Sequence, residues 1–148
     1  PCIKQLVEVY AEFGSSVVAL EPVPLDDVSK YGIISGKRVG DRLYDLEELV
    51  EKPPVDDAPS NLAIIGRYVL TPEIFDELEK TQPGRGGEIQ LTDAMRSLHE
   101  SQKIYGLVFE GKRYDIGDRL GFLKATVEFA LDRDDVGTAF RQYLKELL

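Results

Sequence analysis

A chain of 148 residues with 43% hydrophobic and 30% charged side chains is the size of one globular domain and lies outside the low-hydrophobicity, high-charge range of disordered chains. Its formal net charge of −9 removes the basic field by which a surface recruits nucleic acid or an anionic membrane, so any phosphate site must be local. A single cysteine, Cys2, excludes an internal disulfide and a multi-cysteine zinc site and suits a reducing cytoplasm, and no apolar run approaches the ~20 residues of a membrane span.

The first residues already carry an apolar stripe, Ile3, Leu6, Val7, Val9, Tyr10 and Phe13, with no initiator methionine and no visible secretory signal, so a truncated or processed chain is expected. Residues 3–13 are therefore expected to form a helix closed by Gly14, and residues 16–21 a short buried strand ended by Pro22 and Pro24. Asp26–Lys30 fits one helical turn. The stretch that follows is extended and broken by glycines at 32, 36 and 40, which mark bends or close backbone approach. Residues 42–51 alternate imperfectly and favour a strand stopped at Pro53-Pro54, with a helix as the competing reading.

Leu62–Val69 is an almost continuous apolar run, which reads as the best core strand, covered on both faces. Thr71-Pro72-Glu73 has the form of a helix start, with Thr71 as N-cap, Pro72 at the first helical position and the helix running to about Lys80. A loop over residues 82–87 leads to a second helix with Leu91, Ala94, Met95 and Leu98 on one side. Residues 104–110 and 113–116 read as strands around Gly111-Lys112. Asp118 then caps a helix with Leu120, Leu123, Val127, Ala130 and Leu131, and residues 134–148 form a last amphipathic segment that packs on the domain or on another chain. The mixture points to α/β layers, with a mixed sheet and flanking helices, from which N-terminal strands are expected to be missing.

Four places invite a chemical reading. Gly106–Lys112 has the letters G-x-x-x-x-G-K, but Leu-Val-Phe-Glu between the glycines is a strand former and Arg113 follows, so it reads as strand and turn rather than as a phosphate cradle. Gly84-Arg85-Gly86-Gly87-Glu88 reads either as a connection or as a phosphate-touching loop. His99, with no cysteine or second histidine near, reads as a solvated surface side chain. Glu51-Lys52-Pro53 differs, because neighbours at a strand end point to opposite sides, which separates a carboxylate suited to sugar hydroxyls from an ammonium suited to phosphate. Alone the tripeptide reads more readily as an exposed ion pair or as two solvated side chains.

Five blocks in order carry more. Lys30-Tyr31-Gly32-Ile33, Val50-Glu51-Lys52-Pro53, residues 59–68, residues 86–93 and residues 111–118 together resemble the bacterial UTP:glucose-1-phosphate uridylyltransferases across essentially the whole chain. The resemblance implies a Rossmann-like sugar nucleotidyltransferase fold whose N-terminal half is absent. It makes residues 1–148 the C-terminal sugar-phosphate-binding part of one domain, including a helical segment from about 118 to 148. It further implies glucose 1-phosphate and UTP as substrates, UDP-glucose as product, Mg²⁺ as cofactor and a cytoplasmic homo-oligomer that meets neither nucleic acid nor membrane.

Carried over by position, the same resemblance makes Glu51 the acceptor for glucose hydroxyls, Gly32 and Ile64 backbone contacts on the sugar side, Lys52 the catalytic phosphate-facing cation and Asp115 a Mg²⁺ contact. Asp115 also reads as a strand-end acid bonded to the following turn. The Gly-rich nucleotide loop and a second acidic metal contact have no counterpart, so these 148 residues by themselves are expected not to turn over UTP. The alternatives are a nucleotidyltransferase of other base or sugar specificity, a non-catalytic paralogue, and a stand-alone binding or dimerisation module.

Overall fold

The computed structural model describes residues 1–84 and 87–147, which fall into two compact units, Pro1–Gly111 and Lys112–Leu148. The first holds β1 (Ser16–Pro22), β2 (Gly32–Arg38), β3 (Leu43–Glu51), β4 (Leu62–Val69) and β5 (Ile104–Val108), with helices α1 (Cys2–Phe13), α2 (Ile74–Lys80) and α3 (Leu91–Ser101). The strands run in the order β1-β4-β2-β3-β5 and close on themselves, because β5 pairs with β1 in parallel while every other pairing is antiparallel. Closure leaves none of these strands with a bare edge. The sheet is mixed and flanked by helices, as the sequence indicates; the ring is what no local pattern announces.

Strand β1 divides the core. Val18 and Leu20 join Ile34, Leu46, Leu49 and Ile64 under the helical residues Ile74, Ala94, Met95 and Leu98. Val17 and Ala19, on the other face, pack with Tyr105 and Leu107 against Leu6 of α1. Alternation therefore gives β1 two buried faces, and residues 16–20 are buried without a break. That role was expected of β4. Only Ala63 and Ile64 of β4 are buried, and Gly66 and Arg67 are exposed, so the apolar letters of its second half do not mark a covered strand.

Two glycines hold the ring at close quarters. A Cβ on Gly36 would lie 2.5 Å from the Asp45 carbonyl oxygen, at the bulge where the β2–β3 register shifts between Ser35 and Gly36. A Cβ on Gly106 would lie 2.4 Å from Leu20 Cδ1 and 2.9 Å from Leu46 Cδ1. The first glycine of the phosphate-loop letters is thus a packing residue inside a strand, in agreement with the strand reading.

Thr71 does not cap α2. The helix begins at Ile74 with Glu73 before it and no side-chain capping bond. The buried Thr71 hydroxyl donates instead to Gln102 Oε1 at 3.1 Å, and its N–H donates to Ser16 Oγ at 3.0 Å. Satisfying buried polar groups across elements has taken the hydroxyl away from its local use.

The second unit holds α4 (Arg119–Leu131) and α5 (Gly137–Leu147). Residues 113–116, expected as a strand, form none. The segment is held by side chains: Lys112 pairs with Glu128, Tyr114 Oη donates to Glu128 Oε2 at 2.8 Å, and the Tyr114 and Phe129 rings lie 5.0 Å apart. The expected inward stripe of α4 is also missing, since Leu120 and Leu123 are 59% and 58% exposed and only Ala125 is buried. Phe122 and Phe129 spread apolar surface around this helix, so spacing alone selects no single inward face.

Asp118 caps α4 as expected, its Oδ1 accepting from the Gly121 N–H at 2.9 Å. Asp118→Ala is expected to cost about 1 kcal/mol of helix stability, read as faster amide exchange at Gly121; unchanged exchange there would show the cap to be idle. Among the described residues no helix is long and apolar enough to cross a membrane.

Candidate functional site at the end of strand β3

Residues from three elements meet where β3 ends. Gly32, the first residue of β2, stands in register opposite Glu51, the last of β3. Thr92, in the first turn of α3, reaches the same place and donates its hydroxyl to Glu51 Oε2 at 2.7 Å. A Cβ on Gly32 would lie 3.1 Å from Thr92 Oγ1 and 3.2 Å from Glu51 Oε2, so the buried glycine is what lets β2 pack this closely on both side chains. The Glu51 side chain is 15% exposed and that of Lys52 is 41% exposed.

Glu51 and Lys52 do not point apart. Lys52 has φ +46°, in the left-handed region, and its N–H donates to the Tyr31 carbonyl at 2.9 Å. Leaving the extended conformation cancels the strand's alternation, and Lys52 Nζ comes to 3.0 Å from Glu51 Oε1. A carboxylate and an ammonium thus share one place, a correction to the opposite-sides expectation with a backbone cause. One Glu51 oxygen faces Lys52 and the other Thr92.

Tyr68 of β4 is half-buried near this group. Burial, with the charge of Glu51 adding to it and that of Arg67 opposing it, pushes the phenol above its ordinary value. At neutral pH the phenol is a protonated donor, as it would be at its ordinary value.

Ile64 lies in β4 opposite Leu20 of β1, its side chain in the core, and β2 stands between β4 and β3. Asp115 belongs to the second unit, where it is exposed and its Oδ1 accepts from the Gly117 N–H at 2.9 Å. That bond matches the turn-bonded reading of this acid. Among the described residues no three histidine, cysteine, aspartate or glutamate side chains are grouped as metal ligands.

His99 is half-buried on α3, with Nδ1 buried and without a hydrogen-bond partner among the described residues, so the solvated reading does not hold. Its helix packs on both β3 and α2. Arg85 and Gly86, the centre of the Gly-rich loop reading, lie outside the described residues.

Thr92 was not singled out in the sequence. A signal existed: it lies three residues before Met95, on the helix side that Met95 and Leu98 bury, and a hydroxyl on a buried helix side needs a partner.

A family model described as nucleotidyl transferase matches residues 2–131. The chain belongs to this nucleotidyl transferase family. Within it, the UTP--glucose-1-phosphate uridylyltransferase of Staphylococcus epidermidis is 48% identical over 147 residues, which is 99% of this chain and 51% of that protein. The UTP--glucose-1-phosphate uridylyltransferase of Streptococcus pneumoniae is 49% identical over 148 residues, 99% of this chain and 50% of that protein. A solved UDP-glucose pyrophosphorylase complexed with UDP-glucose superposes with a TM-score of 0.83 at 45% identity, over 89% of this chain and 50% of the other. The mixed α/β architecture is that of the nucleotidyl transferases, and the chain spans about half the length of the curated relatives it matches.

Proposed function

We propose that this chain provides the glucose-1-phosphate-binding part of a UTP--glucose-1-phosphate uridylyltransferase. In the complete reaction a phosphate oxygen of glucose 1-phosphate attacks the α-phosphorus of UTP, the bond to pyrophosphate breaks, and UDP-glucose and pyrophosphate result. Such a transfer needs no protein nucleophile and asks for alignment and charge stabilisation. The observation that carries the reading is the meeting of the Glu51 carboxylate and the Lys52 ammonium at the end of β3, beside Gly32.

Each group has a task in that reading. Glu51 accepts hydrogen bonds from glucose hydroxyls, and the backbones of Gly32 and Ile64 line the sugar side. An ammonium has three donors, so Lys52 can hold Glu51 and a phosphate oxygen together. The ion pair then keeps the two halves of the ligand in register.

Mg²⁺ would share the charge of the transferring phosphate, and Asp115 is the residue of this chain suited to approach it. One exposed carboxylate does not make a Mg²⁺ site, which takes octahedral oxygen donors, and no step here is routed through the ion. The cytoplasmic, homo-oligomeric setting belongs to the same proposal.

Calorimetric titration tests the reading. Glucose 1-phosphate is expected to bind saturably to this chain, with glucose and inorganic phosphate each much weaker. No saturable binding, or phosphate binding as tightly as the sugar phosphate, would overturn it. Incubated with UTP, glucose 1-phosphate and Mg²⁺, the same chain is expected to release no pyrophosphate. Steady release would show that these 148 residues hold the whole catalytic apparatus.

A further inference from the structure

Resting on that reading, the geometry points to Thr92 as a positioning residue that aims the Glu51 carboxylate at the sugar. A carboxylate has about four lone-pair positions on two oxygens. Lys52 takes a position on Oε1 and Thr92 takes one on Oε2, at 3.0 and 2.7 Å. Two partners on different oxygens fix both the direction and the rotation of the group, and the lone pairs that remain are left for sugar hydroxyls.

Thr92 is a firm base for this. It is 8% exposed, and its helix is set on the ring by the buried side chains of Ala94, Met95 and Leu98. Its hydroxyl therefore cannot follow Glu51 elsewhere. An ionised carboxylate only accepts, so the hydroxyl must donate to it. Without that donor no hydrogen bond among the described residues holds Oε2, and the carboxylate is free to turn both oxygens to Lys52. That turn would remove acceptors from the sugar while the ammonium stays where it is.

The role has a signature that plain packing lacks, because it acts through Glu51 on the sugar hydroxyls. Thr92→Val keeps the branched shape and deletes the donor, whereas Thr92→Ser keeps the donor. A hydrogen bond to a charged group is worth enough that Thr92→Val should weaken glucose 1-phosphate binding about tenfold. Thr92→Ser should restore it to within about threefold. Inorganic phosphate, which has no hydroxyl for Glu51, should bind Thr92→Val within about twofold of the parent chain. With Glu51→Gln already present, adding Thr92→Val should change glucose 1-phosphate binding little.

All five chains, the parent among them, are compared by calorimetry with glucose 1-phosphate and with inorganic phosphate. Parent-like binding of glucose 1-phosphate by Thr92→Val overturns the inference. So does an equal loss for both ligands, or a full additional loss on top of Glu51→Gln, since each describes a structural role. Should Thr92→Val not fold, Thr92→Ala, which asks for less space beside Gly32, carries the same expectations. A parent chain that binds no glucose 1-phosphate overturns the proposed function itself, an outcome distinct from failure of the Thr92 step.

Discussion

Lys52→Gly is expected to weaken glucose 1-phosphate binding tenfold or more while leaving the chain no less stable than the parent. The binding loss follows from removing the ammonium, since a charge-assisted hydrogen bond contributes about 1.5–3 kcal/mol. The stability follows from the backbone. Lysine at φ +46° sits in a region that costs a side-chain-bearing residue on the order of 1–2 kcal/mol and costs glycine almost nothing. Against that gain stand the extra freedom of glycine in the unfolded chain, about 0.4–1 kcal/mol, and the loss of a partly exposed ion pair that is worth little.

Lys52→Ala separates the two effects, because it deletes the ammonium and keeps the strain. It should bind as poorly as Lys52→Gly and melt at a lower temperature. Thermal melts of the three chains beside their titrations check this. If Lys52→Gly is less stable than Lys52→Ala, no strain is held at the site. Strain that the surrounding structure maintains at a ligand-facing residue is a known way of fixing a functional side chain. Here it turns Lys52 back towards Glu51.

Gly36→Ala is expected to destabilise the first unit by about 2–3 kcal/mol, at the upper end of overpacking costs. The atom in the way, 2.5 Å from the new Cβ, is the Asp45 carbonyl oxygen, which belongs to a strand backbone and cannot rotate aside. Relief requires β2 and β3 to separate at their bulge. Glu51 lies on that same β3 and Gly32 on that same β2, so glucose 1-phosphate binding should weaken together with stability. Denaturant unfolding measures the loss, and a change below about 0.5 kcal/mol, the range of an innocuous substitution, would show that the bulge already has slack.

The elements of the fold could be read locally because their signals are local. Gly14 closes α1, its N–H donating to the Tyr10 carbonyl at 2.8 Å, and Asp118 caps α4, as their residue types require. The failures come from distance along the chain. β1 and β4 have similar apolar letters, but β1 sets Val18 and Leu20 under the residues of α2 and α3 and Val17 and Ala19 against Leu6 of α1, which covers both its faces. Thr71 has the chemistry of an N-cap and spends it on Gln102, 31 residues away.

The site shows the same division. Glu51 and Lys52 were legible as residue types suited to a sugar phosphate, Gly32 entered through the family resemblance, and the register places Gly32 and Glu51 side by side. Their geometry was not legible, since strand alternation separates Glu51 from Lys52 and a single left-handed residue brings them together. Thr92 enters from a helix 41 residues further on, and no spacing rule links it to Glu51. Asp115 lies in the other compact unit, so its sequence pattern and the geometry around Glu51 are separate observations.

The most direct test of the division of labour at the end of β3 is a crystal structure of this chain with glucose 1-phosphate bound. The account predicts glucose hydroxyls within about 3 Å of the Glu51 carboxylate and a phosphate oxygen within about 3 Å of Lys52 Nζ, with Thr92 still on Oε2. Sugar phosphate bound away from β3, or seated with its phosphate turned from Lys52, would contradict it.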